Sequence, residues 1–137
     1  MTIPRTPLLA TDCVLFDSDG RVLLIRRRNP PFEGLLALPG GFVEIGETVE
    51  QACKRELFEE TGVKIGCPKL VGVYSDPGRD PRGHVCSVAF ANQIDTGEAV
   101  AGDDAASLER VRDWRNADLA FDHRRIIADA ELLMASK

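Results

Sequence analysis

Two apolar runs rich in Val, Leu and Ile, Thr11 to Phe16 and Arg21 to Arg28, are separated by Asp17-Ser18-Asp19-Gly20, a strong turn signal. The pattern predicts a β-hairpin. Asn29-Pro30-Pro31 breaks it, and Leu38-Pro39-Gly40-Gly41-Phe42 is expected to form a tight backbone passage that only glycine permits. After Gly46-Glu47-Thr48 the period changes: Val49, Cys53 and Leu57 recur every four residues, with Thr48 and Gln51 spaced as a capping box. This predicts a helix from Val49 to Thr61 that Gly62 terminates. Lys69 to Ser75 and His84 to Ala91 read as two further strands joined by the loop Asp76 to Gly83, and a short strand is expected near Val111 to Trp114 after a polar stretch from Asp95 to Glu109. Asp122 is placed to cap a last helix whose Ile126, Ile127, Leu132, Leu133 and Met134 pack on the sheet. Helices interleaved with a mixed set of strands, with no repeat or linker, indicate a layered α/β fold.

The chain has 137 residues, which is expected to make a single domain spanning 1–137 with one packed core. With 44% hydrophobic and 28% charged residues it has a globular composition, and a net charge of -5 argues against attraction to a polyanion such as duplex DNA. Any anionic ligand must therefore be met by a local site. Cys13, Cys53, Cys67 and Cys86 form no C-x-x-C pair, and Cys53 and Cys86 lie among apolar neighbours, so buried free thiols are expected. No apolar run approaches the roughly 18 residues of a membrane span, and the first ten residues lack a signal-peptide core. A cytoplasmic protein without membrane association is the expectation.

The helix predicted from Val49 to Thr61 departs from what stability alone would select. Glu56, Glu59 and Glu60 project from one side of it, since residues three and four apart are helical neighbours. Glu59 and Glu60 also lie in the last turn, where the helix dipole makes each anion unfavourable by about 0.3–1 kcal/mol. Two anions about 6 Å apart repel by roughly 0.7 kcal/mol in water and by nearly ~3 kcal/mol at an effective dielectric constant of about 20. Arg55 can pair with Glu59, but one guanidinium cannot neutralise three carboxylates with Glu47 nearby. A hard divalent ion, Mg²⁺ or Mn²⁺, suits this oxygen cluster better than zinc, because neither Cys nor His is placed to join it. A solvated acidic face would use the same residues, so the cluster alone leaves both readings open.

The wider pattern runs Gly41, five residues, Glu47, seven residues, Arg55-Glu56-Leu57, one residue, Glu59-Glu60, one residue, Gly62-Val63. It resembles the Nudix box of the Nudix hydrolases, G-x5-E-x7-R-E-U-x-E-E-x-G-U with U aliphatic, and every fixed position is filled. The resemblance implies a Nudix-type α/β/α sandwich, with a mixed sheet between helices, that cleaves a nucleoside diphosphate linked to another group. It implies Glu56, Glu59 and Glu60 as metal ligands, the Gly41 carbonyl as a further one, and Arg55 with Glu47 as the supporting ion pair. Gly46 and Gly62 are expected to be conformational.

The loop from Ser75 to His84 offers Arg79, Arg82 and His84 as a cationic pocket for a second phosphate or a ribose, although internal pairing with Asp76 and Asp80 would account for the same residues. Its string Arg-Asp-Pro-Arg-Gly-His is similar to the ADP-ribose pyrophosphatase branch of the family, which implies ADP-ribose as substrate and AMP with ribose 5-phosphate as products. By the same resemblance the catalytic base comes from a loop before the last strand, where Asp103 or Asp104 is the candidate, with Glu98 and Glu109 behind them. Trp114 could stack on a base or anchor the core. Three other readings remain: a pyrophosphohydrolase of nucleoside triphosphates, an enzyme acting on dinucleoside polyphosphates, and a non-catalytic nucleotide-sensing module. The last usually accompanies a DNA-binding module, for which the three residues after Met134 are expected to leave no room. Monomer and homodimer are both open.

Overall fold

The computed structural model describes residues 2–95 and 108–135. The hairpin forms β1 (Leu8–Asp17) and β2 (Val22–Arg26), and its turn is tied by Asp17, whose carboxylate accepts from the Asp19 and Arg21 amides at 2.9 and 3.0 Å. Next come β3 (Leu36–Ala37), β4 (Gly40–Phe42), α1 (Val49–Thr61), β5 (Lys69–Tyr74), β6 (Val85–Ile94) and β7 (Leu108–Val111). A 3-10 turn at Trp114–Asn116 leads to α2 (His123–Ala135). The sheet order is β3-β2-β1-β6-β5, with β4 paired to β1 and β7 to β2. β1 runs parallel to β6 from Leu8↔Val85 to Asp17↔Ile94, and the pairs β1–β4 and β5–β6 are antiparallel.

Helix α1 follows the local signals closely. The Gln51 amide donates to the Thr48 hydroxyl at 3.1 Å, the Thr48 amide donates to the Gln51 side chain at 2.8 Å, and Gly62 closes the helix at φ 77. The two helices cover opposite faces of the sheet, which explains why β1 is buried on both sides from Thr11 onward and carries consecutive apolar residues from Cys13 to Phe16. Cys13 and Leu15 face α1 with Cys53 and Leu57, while Val14 and Phe16 face α2 with Ile126, Ile127 and Ala130. This is the α/β/α sandwich with a mixed sheet.

Several details differ from the sequence reading. The strand expected near Val111 to Trp114 is β7 at Leu108–Val111, because pairing with Val22 to Ile25 of β2 brings Leu108 and Glu109 into the sheet. Trp114 instead starts the 3-10 turn and is buried in the core against α2. β1 begins at Leu8 and β6 continues to Ile94, since each extends the other's ladder. The carboxylate of Asp122, expected as a helix cap, binds Arg79. All four cysteines are free, but only Cys13 and Cys53 are buried: Cys86 is half-buried opposite Leu9 near the start of β6, and Cys67 is exposed. Among the described residues no helix is long and apolar enough to cross a membrane.

Candidate active site

The acidic cluster assembles around one guanidinium. Arg55 donates to Glu47 at 2.6 and 2.9 Å, to Glu56 at 2.6 Å, to Glu59 at 2.9 Å and to the Phe42 carbonyl at 3.1 Å. The side chains of the helix and of the loop preceding it are thereby fixed to β4. Hydrogen bonding by Arg55, reinforced by the Glu44 amide, pulls the Glu47 carboxyl down to about 2. Glu60 turns the other way and accepts the Gly40 amide at 2.9 Å.

The two glycines of the passage have different jobs. A Cβ on Gly40 would lie 2.1 Å from the Thr11 carbonyl oxygen, so β1 and β4 approach too closely for any side chain there. A Cβ on Gly41 would lie 2.2 Å from a carboxylate oxygen of Glu56, so its missing side chain is the space that Glu56 occupies. The passage thus meets one acid with an amide and another with an open cradle.

One cation does not balance these acids. Burial, and then the charges of Glu56, Asp12 and Glu59, push the Glu60 carboxyl up to about 8 despite the Gly40 amide. Glu56 is raised for the same first reason, partly offset by Arg55 and reinforced by Glu59 and Glu47. Among the described residues no three Asp, Glu, His or Cys side chains already stand in a metal-holding group, because Arg55 takes Glu56 and Glu59 and Gly40 takes Glu60. The donor set, all carboxylate oxygen in excess of positive charge, fits a hard divalent cation and does not fit a soft one.

The loop arginines are placed differently from a free cationic pocket. Arg79 is buried, its side chain only 4% exposed, and donates to Asp122 at 2.6 and 2.9 Å with Asp12 at 3.8 Å. Arg82 is held by Asp80 at 2.8 and 3.1 Å, and the exposed His84 ring meets the Ser75 carbonyl at 2.9 Å. The loop is therefore held by internal acid–guanidinium pairs. Arg79 and Arg82 nonetheless line a cavity of about 180 Å³ together with Gly40, Gly41, Phe42, and Phe121. Arg82 and His84 line a neighbouring one of about 650 Å³ with Arg5 and Phe42. The guanidinium of Arg82 lies between the rings of Phe42 and Phe121, at 5.6 and 5.7 Å from their centroids.

Asp12 and His123 are site neighbours that sequence reasoning missed. Burial alone would raise the Asp12 carboxyl, but the His123 ring at 3.3 Å, the Ser87 hydroxyl at 2.6 Å and Arg79 hold it below its ordinary value. The other ring nitrogen of His123 accepts the Leu38 amide at 3.0 Å, which anchors the segment leading into Gly40. An acid inside the apolar run of β1 was the one available signal. Asp103, Asp104 and Glu98 lie outside the described residues. Glu109 sits on β7, where Arg26 donates to it at 2.9 Å.

Comparison with known proteins agrees with this geometry. A NUDIX domain family model matches residues 6–134. The chain is 51% identical over 123 residues to an ADP-ribose pyrophosphatase of Methanocaldococcus jannaschii, covering 90% of this chain and 72% of that protein. The NUDIX domain of Shewanella oneidensis NrtR, solved in complex with ADP ribose, superposes with a TM-score of 0.86 at 30% identity, covering 95% of this chain and 90% of that one. A bifunctional NMN adenylyltransferase/ADP ribose pyrophosphatase from Francisella tularensis, solved with AMP and a manganese ion, superposes with a TM-score of 0.79 at 29% identity over 98% of this chain and 43% of that one.

Proposed function

The chain belongs to the Nudix family, and from that premise we propose that it hydrolyses ADP-ribose to AMP and ribose 5-phosphate. Water attacks one phosphorus of the diphosphate, the bridging P–O bond breaks, and the other phosphate leaves with the bridging oxygen. The observation that carries the reading is the carboxylate excess around Arg55, with Glu60 lifted to about 8 beside a glycine passage. Similarity to a pyrophosphatase of that substrate, and to a domain solved with ADP ribose, supports the choice of substrate.

Glu56, Glu59, Glu60 and the Gly41 carbonyl would hold the divalent cation, Mg²⁺ or Mn²⁺. Its chemistry when bound is neutralisation of the diphosphate oxygens and a lowered pKa of the attacking water. Arg55, anchored by Glu47, holds Glu56 and Glu59 in place, and the Gly40 amide holds Glu60, so the reaction does not wait for these side chains to reorganise. Arg79, Arg82 and His84, lining the two cavities next to Gly41 and Phe42, are the side chains we assign to the groups that flank the diphosphate. Asp103 or Asp104 would take the proton of the attacking water.

Product chromatography tests this directly, using ADP-ribose, dGTP, 8-oxo-dGTP and a diadenosine polyphosphate with Mg²⁺ or Mn²⁺. AMP and ribose 5-phosphate are expected from ADP-ribose, with kcat/KM lower by about 10² or more in Glu59→Gln and in Glu60→Gln. Preference for a triphosphate, giving monophosphate and pyrophosphate, would overturn the substrate. Binding of ADP-ribose with no turnover would make the chain a sensing module.

A further inference from the structure

Three hydroxyl side chains are fully buried among the described residues: Thr11, Thr61 and Ser87. Thr61 donates to the Leu57 carbonyl at 2.7 Å and accepts the Val63 amide at 3.1 Å, and Ser87 donates to Asp12 at 2.6 Å. Thr11 is 1% exposed, and its hydroxyl has no hydrogen-bond partner among the described residues. A buried hydroxyl left unpaired is destabilising, and a valine of the same shape would avoid that cost.

Its position explains why it is there. Thr11 is directly opposite Gly41 in the antiparallel β1–β4 ladder, and opposite residues of such a pair point to the same face, with Cβ positions about 4.5–5.5 Å apart. The direction of that face is given by the missing Gly41 side chain, whose Cβ would run into the Glu56 carboxylate. The neighbouring pair confirms the alternation: a Cβ on Gly40, opposite Asp12, would lie 3.0 Å from the Asp12 carboxylate on the other face. Glu56 gives one oxygen to Arg55 and turns the other toward Gly41, on the face that Thr11 shares.

We propose that Thr11 is a positioning residue of the cation site: its hydroxyl hydrogen-bonds a water of the hydration shell of the divalent cation at Glu56. This rests on the reading of Glu56 as a ligand given above. Mg²⁺ and Mn²⁺ sites keep several waters, and such outer partners orient them and the carboxylates. The hydroxyl that no described protein group satisfies would find its partner in that water.

The test is Thr11→Val, with Thr11→Ser as the conservative control, read by thermal unfolding without added metal and by Mn²⁺ titration followed by electron paramagnetic resonance. Thr11→Val is expected to raise Tm by about 2–5 °C and to weaken Mn²⁺ binding about tenfold or more. Thr11→Ser is expected to bind Mn²⁺ within about twofold of wild type. A structural hydroxyl would instead show Thr11→Val lowering Tm with Mn²⁺ affinity unchanged, and that result overturns the proposal. Should Thr11→Val not fold, Thr11→Ala against Thr11→Ser decides by the same Mn²⁺ comparison. Wild-type protein that binds no Mn²⁺ overturns both this proposal and the cation site. Wild-type binding that Thr11→Val and Thr11→Ser leave equal overturns only the role of Thr11.

Discussion

Two acid–guanidinium clusters lie on either side of the Gly40–Phe42 strand, and they differ in charge balance. In the loop cluster Arg79 has Asp122 and Asp12, and Arg82 has Asp80; every guanidinium has its own carboxylate, and Asp80 and Asp12 are held below their ordinary values. On α1, among the described residues, Arg55 alone serves Glu47, Glu56 and Glu59, while Glu60 has only the Gly40 amide and is pushed up to about 8. A balanced cluster needs no further cation and is a scaffold that holds Arg79 and Arg82 at the cavity wall. An unbalanced one carries a standing electrostatic penalty that a cation relieves, which is how local instability marks a site.

The comparison breaks most visibly at Arg79. Replacing it by Met leaves the half-buried Asp122 without its cation, while Asp12 keeps His123 and Ser87, and should cost about 3 kcal/mol of stability in urea denaturation. A loss under about 1 kcal/mol would show that the loop cluster is not scaffold. Arg82 sharpens the same point from the small end. Its side chain is 46% exposed, so Arg82→Ala should change stability by at most about 1 kcal/mol, measured the same way.

What the chain showed in advance and what it hid follow from the range of the interactions. Helix α1 and its glutamates were legible because caps, periodicity and i, i+4 geometry are all local, and Arg55 paired with Glu59 as spacing required. The need for glycine at Gly40 and Gly41 was legible, but not the reason, since the clashing atoms come from β1 and from α1. The Asp12–His123–Arg79 group was hidden because its members arrive from a strand, a helix and a loop, with His123 reaching Leu38 across 85 positions. Arg79 and Arg82 were seen as cations, yet nothing local reveals that Asp122 would turn from capping α2 to binding Arg79. The local pattern puts the start of β7 three residues late, at Val111 in place of Leu108, because its strand character comes from pairing with β2.

The central claim is that α1 carries uncompensated carboxylates that a divalent cation neutralises, and thermal unfolding against pH measures it most directly. Burial and the neighbouring carboxylates push the Glu60 carboxyl from its ordinary value of 4.5 up to about 8 in the folded protein. Between those values the folded state holds a proton that the unfolded chain has lost, so this group's contribution to stability falls as pH rises. Without metal, the Tm of wild type relative to Glu60→Gln should therefore decline steadily between about pH 5 and pH 8. Saturating Mg²⁺ should abolish that decline by stabilising the ionised site, and should leave Glu60→Gln much less changed. A Tm difference that is flat with pH and unaffected by Mg²⁺ would contradict the account.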